Sequence, residues 1–313
     1  MSCLGFDTSN YTTSAALFDG EKGVSCARLL DVKPGELGLR QSDALFAHVQ
    51  RLPELFAQLL EETGRRPVSA VGVSTRPRAV EGSYMPCFLA GVSVASVLAQ
   101  GLGVPLHRFS HQQGHIAAAL WSAGRMELMD RPFLAWHLSG GTTELLLVEP
   151  RDGELRAQRI GGTTDISAGQ LIDRTGKLLG LAFPAGKALD AMSREARRQE
   201  GFRVRCTDLA FSLSGVENQV NRYRASGASP ADTAAYALRS VAWAVIAATE
   251  HALRTYRDYP VVFSGGVASN SLLRSLAGGF DAVFCPARYA TDNAMGIAVL
   301  TWLQEERHGL SHL

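Results

Sequence analysis

The sequence predicts an α/β chain of two similar lobes facing one another across a cleft. Three observations carry this. The chain has 313 residues, too many for one ordinary core and suited to two. Short apolar runs alternate with stretches of helical periodicity, the mark of α/β layering. Finally, a glycine-bearing hairpin followed by helices occurs twice, from Cys3 and again from Phe133. That is an approximate internal duplication and not a short-period repeat.

The elements follow in order. Cys3 to Asp7, Thr12 to Phe18 and Val24 to Leu30 read as strands, punctuated by Gly5, Asn10 and Asp19-Gly20. A polar bridge, Lys33 to Arg40, leads into an amphipathic helix carrying Ala44, Leu45, Val49, Leu52, Leu55, Phe56 and Leu59 at three- and four-residue spacing. Pro53 inside it predicts a kink or restart. Val68 to Ser74 is a buried-type strand, Phe88 to Gly101 a small-residue helix, and Pro105 to Phe109 another strand. In the second half, Phe133 to Leu138 and Glu144 to Val148 flank a turn. Helices follow near Ala168–Leu179, Ala188–Arg198 and Pro230–Arg257, then a strand at Val261 to Phe263 and a last helix at Asn293–Glu306. The first lobe is expected over residues 1–130 and the second over 131–289. The last segment, 290–313, should pack back on the first lobe, because a cleft needs a return crossing.

Composition narrows the class. A hydrophobic fraction of 46% and a charged fraction of 19% describe a globular chain. No apolar run reaches the ~18–20 residues of a membrane span, and the opening MSCLGFDTSN lacks a secretion signal. Five scattered cysteines without a C-x-x-C pair fit reduced thiols in a cytoplasm. The net charge of +1 excludes a strongly basic nucleic-acid binder. The cluster of Lys187, Arg194, Arg197, Arg198, Arg203 and Arg205 reads as solvated surface, so any attraction for RNA must come from local patches or partner proteins.

Three stretches could cradle phosphate: Asp7-Thr8-Ser9, Ser139-Gly140-Gly141-Thr142-Thr143, and Ser264-Gly265-Gly266-Val267-Ala268-Ser269-Asn270. Glycines after a strand let backbone N–H groups approach an anion, and a following helix adds its dipole. Asp7 and Ser9 are the candidate catalytic residues, with Asp7 holding a magnesium-bound water or the reacting phosphate end. Neither G-x-x-x-x-G-K-[ST] nor G-x-G-x-x-G occurs, which disfavours those nucleotide folds.

His111-Gln112-Gln113-Gly114-His115 places two histidines at i and i+4, on one helical face and at the separation that grips one metal ion. It lacks the glutamate of H-E-x-x-H, so a zinc-protease reading has no base. Asp292 is the candidate third ligand, and a His-His-carboxylate set suits iron or zinc. Of the other histidines, His107 reads as structural, His137 as a satisfied core residue, His48 as surface, and His308 and His312 as parts of a fraying tail.

These motifs resemble, in order and nearly end to end, those of the tRNA threonylcarbamoyl transferases, once catalogued as glycoprotein endopeptidases. The matching pieces are Gly5 to Ser9, His111 to His115, Ser139 to Gly141, and the stretch GGTTDISAGQLIDRTGKLLGLAFPAG from Gly161 to Gly186. Asp208 to Ser212, Ser214-Gly215, Gly265 to Asn270 and Thr291 to Ala294 complete the series. The resemblance implies an actin-like ATPase fold and a metal in the cleft. It also implies transfer of a threonylcarbamoyl group from its adenylate to the exocyclic amine of the adenosine beside the tRNA anticodon, with partner subunits. It places the metal on His111, His115 and Asp292, and the adenylate on Leu138, Ser139, Gly140, Gly141, Thr142, Asp173, Gly186, Asp190, Gly265, Gly266 and Asn270.

The chain departs from the family pattern in four places. Asn10-Tyr11-Thr12-Thr13 stands where two acids are usual, and Thr142 replaces a histidine. Thr75-Arg76-Pro77-Arg78 replaces a Gly-Pro-Gly turn, and Asp7 replaces a glutamate. Three readings follow: the tRNA transferase, a carbamoyl transferase acting on another acceptor, and a nucleotide-binding regulatory scaffold.

Overall fold

Two mixed sheets enclose a shared layer of helices, and strand parity decides which side chains face that layer. The computed structural model describes residues 1–9, 11–31, 39–151, 154–286, 289 and 293–310. Residues 3–110 supply β1 (Cys3–Ser9), β2 (Thr12–Phe18), β3 (Gly23–Leu29), α1 (Gln41–Thr63), β4 (Ala70–Arg76), α2 (Phe88–Leu102) and β5 (Leu106–Ser110). Their sheet runs β3-β2-β1-β4-β5, with β1, β4 and β5 parallel. Next come α3 (His111–Ser122), β6 (Phe133–Leu138), β7 (Thr143–Arg151), β8 (Glu154–Thr163), α4 (Ala168–Leu178), α5 (Gly186–Ser193), β9 (Ala210–Phe211) and α6 (Ser214–Ala225). The chain continues through α7 (Pro230–Thr255), β10 (Val261–Ser264), α8 (Ser271–Leu276), β11 (Ala282–Phe284) and α9 (Ala294–Leu310). The second sheet runs β11-β10-β6-β7-β8-β9.

Alternation along each strand sorts the cores. In the first sheet Leu4, Phe6, Val71 and Val73 pack with Leu52, Leu55 and Leu59 of α1 and with Ala95 and Ala99 of α2. The opposite face carries Ala16 and Phe18 against Ala294, Met295, Ala298 and Val299 of α9. That approach needs glycine: a Cβ on Gly5 would lie 2.3 Å from the Ala294 carbonyl oxygen. In the second sheet Leu134, Trp136, Leu138 and Phe263 face α7. Phe133, Ala135, Leu146 and Val262 face Ile116 and Leu120 of α3 and Ile297 of α9. Thus α3 and α9 lie between the sheets, and they cross in backbone contact, since a Cβ on Gly296 would sit 1.9 Å from the Gly114 oxygen.

Several sequence expectations change. Pro53 lies within a continuous α1. The Val49 and Pro53 positions are both exposed, so water can take the carbonyl bond that proline cannot make. The helix expected to Arg198 ends at Ser193, because the Arg197 and Arg198 N–H groups donate to the Asp232 carboxylate instead (2.9 Å each). α6 has no legible periodicity because Val216 and Val220 are its only buried residues; two apolar positions make no pattern. His48 is fully buried and is not surface. It sits four residues from both Ala44 and Leu52, so it shares their inward face, and its Nδ1 meets the Thr13 hydroxyl at 2.8 Å. His308 belongs to α9 and stacks on His107 at 6.5 Å, while His107 pairs with Glu305 at 2.7 Å. His312 falls outside the described residues.

Candidate metal and nucleotide site

The candidate residues collect at the carboxyl ends of parallel strands, where open α/β sheets bind ligands. Asp7 lies near the end of β1, and Ser110 ends β5 immediately before His111. His137 lies near the end of β6, in register with Ser264, the last residue of β10.

α3 starts abruptly because Ser110 and Gln113 form a reciprocal capping box. His111 therefore sits on the first turn and His115 one turn on, with their Nε2 atoms 3.0 Å apart. The Asp7 carboxylate is 2.9 Å from His111 Nδ1. Asn293, just before α9, donates its amide to Asp7 (2.8 Å) and to the His111 carbonyl (2.9 Å). His111 Nδ1–H is then the donor to Asp7, and its Nε2 lone pair faces His115. Asp7 also accepts the Ser9 N–H at 3.1 Å. Burial alone would raise its carboxyl; the adjacent His111 imidazole, with hydrogen bonds from His111, Ser74 and Asn293, holds it below the usual carboxylate range.

His137 overturns its sequence reading. Its parity with Phe133 and Ala135 turns it toward α3, and its ring lies 5.0 Å from that of His115. It is 5% exposed, and neither ring nitrogen has a hydrogen-bond partner among the described residues. Burial, then the charges of His111 and Arg78, push its pKa down to about 3. Burial with the neighbouring imidazoles also lowers His115 well below the ordinary histidine range.

One ligand nitrogen from each of His111, His115 and His137 lies within 4.8 Å of the others. Two lone pairs 3.0 Å apart repel unless a proton or cation lies between them, and nitrogens sharing a tetrahedral zinc stand about 3.3 Å apart. The residues present therefore fit a metal ion. Asp292 falls outside the described residues.

Beside this cluster, buried Glu144, opposite His137 on β7, takes Arg78 from the segment after β4 at 2.7 Å and Arg159 at 3.8 Å. Arg78 thus bridges the two sheets, through the segment that departs from Gly-Pro-Gly.

The glycine loops meet here too. The turn Ser139 to Thr142 closes on itself through the Thr142 N–H to Ser139 Oγ (3.1 Å). Ser167, the cap of α4, donates to the Gly140 carbonyl at 2.6 Å, and Gly141 is exposed. Gly265 has φ +88°, and a Cβ there would lie 2.3 Å from the Leu138 oxygen, so glycine is required for the two loops to touch. Gly266 opens a 3-10 turn, Gly266–Ser269. Asn270 caps α8 through the Leu273 N–H, and Asp190 accepts both the N–H and hydroxyl of Ser271. Asp173 accepts the Ala185 N–H beside Gly186, at 2.8 Å, and burial raises its carboxyl. Asp190, Asn270 and Asp173 therefore shape the loops. The signals missed in the sequence were His137, legible from strand parity, and Asn293, next to Asp292. Arg78 and Glu144 join only in three dimensions. The basic residues Lys187, Arg194, Arg197, Arg198, Arg203 and Arg205 are all exposed, with Arg203 stacked over Trp243 at 4.3 Å.

Two such sheets with loops meeting at a cleft define a two-lobed protein of the actin and sugar-kinase fold class. The chain is similar in fold to HypF from T. kodakarensis (TM-score 0.65, 14% identity, covering 98% of this chain and 48% of that one). Component A of the (R)-2-hydroxyglutaryl-CoA dehydratase of Acidaminococcus fermentans gives a TM-score of 0.60 at 16% identity, covering 98% of this chain and 99% of that one. A family model described as tRNA N6-adenosine threonylcarbamoyltransferase matches residues 37–299. Curated relatives with that name include proteins from Bordetella petrii, 32% identical over 95% of this chain and 89% of the relative, and Nitrosomonas eutropha, 30% identical over 96% and 91%. The chain belongs to the tRNA N6-adenosine threonylcarbamoyltransferase family.

Proposed function

We propose that this chain transfers the threonylcarbamoyl group of threonylcarbamoyl-AMP to the N6 amine of the adenosine beside the tRNA anticodon. The observation that carries this is the convergence of Asp7, His111 and His115 on the glycine loops in a chain of this family. His111 and His115, with Asp292, would hold a divalent iron or zinc ion. Such an ion, when bound, supplies Lewis-acid polarisation of the acyl carbonyl. Asp7 fixes the His111 tautomer, a positioning role conserving the ring's Nε2 for the ion. This geometry supports that role over the magnesium-bound water anticipated from the sequence. N–H groups of the Ser139–Thr142 and Gly265–Gly266 loops face the phosphate of the leaving AMP, beside Leu138. Asp173, Gly186, Asp190 and Asn270 hold those loops and the adenosine in place. Ser9 lies at the open end of β1, where the acceptor amine would enter. Partner subunits and exposed arginines supply the tRNA attraction that a net charge of +1 does not. Among the described residues no helix is long and apolar enough to cross a membrane, and we place the activity in the cytoplasm.

The test is incubation with threonylcarbamoyl-AMP and unmodified tRNA, with and without partner subunits, followed by nucleoside mass spectrometry. Modified adenosine, lost in His111→Ala, is expected. Adenylate binding without a modified nucleoside would favour another acceptor or a regulatory scaffold.

A further inference from the structure

The third imidazole has no structural occupation. A neutral histidine carries one donor and one acceptor, and buried polar groups are nearly always paired. His107 shows the ordinary outcome, its Nε2 on Glu305 at 2.7 Å. His137 is 5% exposed, and both its nitrogens lack partners among the described residues. Each such orphan forfeits its hydration with nothing in return, so an apolar residue at this strand position would be more stable if packing were its only role. Strand parity instead aims the ring at His111 and His115, with donor atoms of all three within 4.8 Å.

We propose that His137 is a direct ligand of the metal ion held by His111 and His115, so that β6 and α3 together supply three imidazoles. This rests on the reading above only in requiring a metal there. The consequence is selectivity. Three nitrogen donors suit zinc, ferrous iron or cobalt, whereas magnesium demands oxygen ligands and retains its water. Drawing its ligands from α3, which continues directly from β5, and from β6 also ties the ion's geometry to the relative position of the two sheets.

The experiment is titration of metal-free protein with Co²⁺, followed by visible absorption and then competition with Zn²⁺. Wild type, His137→Gln and the remote control His107→Gln are compared. One Co²⁺ per chain is expected in wild type and in the control, undisturbed by millimolar Mg²⁺. His137→Gln should bind at least tenfold more weakly, with altered visible bands. Equal affinity and spectra in His137→Gln would overturn the inference and leave the proposed function standing. No Co²⁺ or Zn²⁺ bound by wild type would remove both. Because the variant could disturb β6, X-ray absorption on zinc-loaded wild type gives a second reading: three imidazoles support the inference, and two refute it.

Discussion

Replacing Gly296 with alanine strikes the contact that holds α3, the helix of His111 and His115, in place. A Cβ there would lie 1.9 Å from the Gly114 oxygen, 2.7 Å from its carbonyl carbon and 2.9 Å from the Ala118 nitrogen. All three are backbone atoms of α3, so no side chain can swing aside. Ordinary contact begins near 3.4 Å, and α3 and α9 must separate by more than 1 Å. Overpacking of this kind costs about 1–3 kcal/mol, and its upper end applies to backbone against backbone. Alanine's helix propensity returns about 1 kcal/mol, leaving a net loss near 2 kcal/mol. Gly114 lies between His111 and His115, so the same displacement spreads the imidazoles, and metal binding should weaken with stability. Urea unfolding followed by circular dichroism, together with Co²⁺ titration, measures both effects. Gly101→Ala on α2, where a Cβ meets nothing within 4 Å, should be neutral or slightly stabilising. A Gly296→Ala protein as stable as wild type would refute the close-crossing argument.

Three further outcomes are expected. Arg78→Ala leaves Glu144, 5% exposed, with Arg159 at 3.8 Å and a long hydrogen bond from the Gln112 amide at 3.5 Å. Because Arg78 itself is half-exposed, the loss should be about 1–2 kcal/mol in urea unfolding, and adding Glu144→Gln should recover most of it. Burial alone would raise the Asp165 carboxyl, yet the Ser212 and Ser214 hydroxyls and the Leu213 and Ser214 N–H groups hold it below the ordinary range. Its contribution is therefore present above about pH 4 and lost as pH falls further; in Asp165→Asn, stability at pH 7 should drop and the acid limb of its pH profile should flatten. Burial pushes the Cys3 and Cys87 thiols up to about 12, so iodoacetamide at pH 8 should label half-buried Cys206 and spare these two until unfolding, as peptide mass mapping would show.

Features that depend only on neighbours along the chain can be read from the sequence. The i, i+4 spacing of His111 and His115, the glycine turns after strands and the amphipathic stripe of α1 are local consequences of backbone geometry. Each was legible without coordinates. Polar segments hid their structure: α6 buries only two residues, and β11 has only three, too few for a period to register. Which faces meet follows instead from how the layers pack. His137 reads as a core residue from its apolar strand, and stands beside His115 because odd-numbered positions of β6 turn toward α3. Asp7 changes from a cleft acid into the partner of His111 because α9 presses against β1 at Gly5 and delivers Asn293 beside it. Arg78 and Glu144 stand 66 positions apart in the sequence and share an ion pair across two sheets. Periodicity reports that a residue faces inward; the partner it finds there depends on how the layers stack, and that is fixed by close backbone crossings such as Gly114 on Gly296.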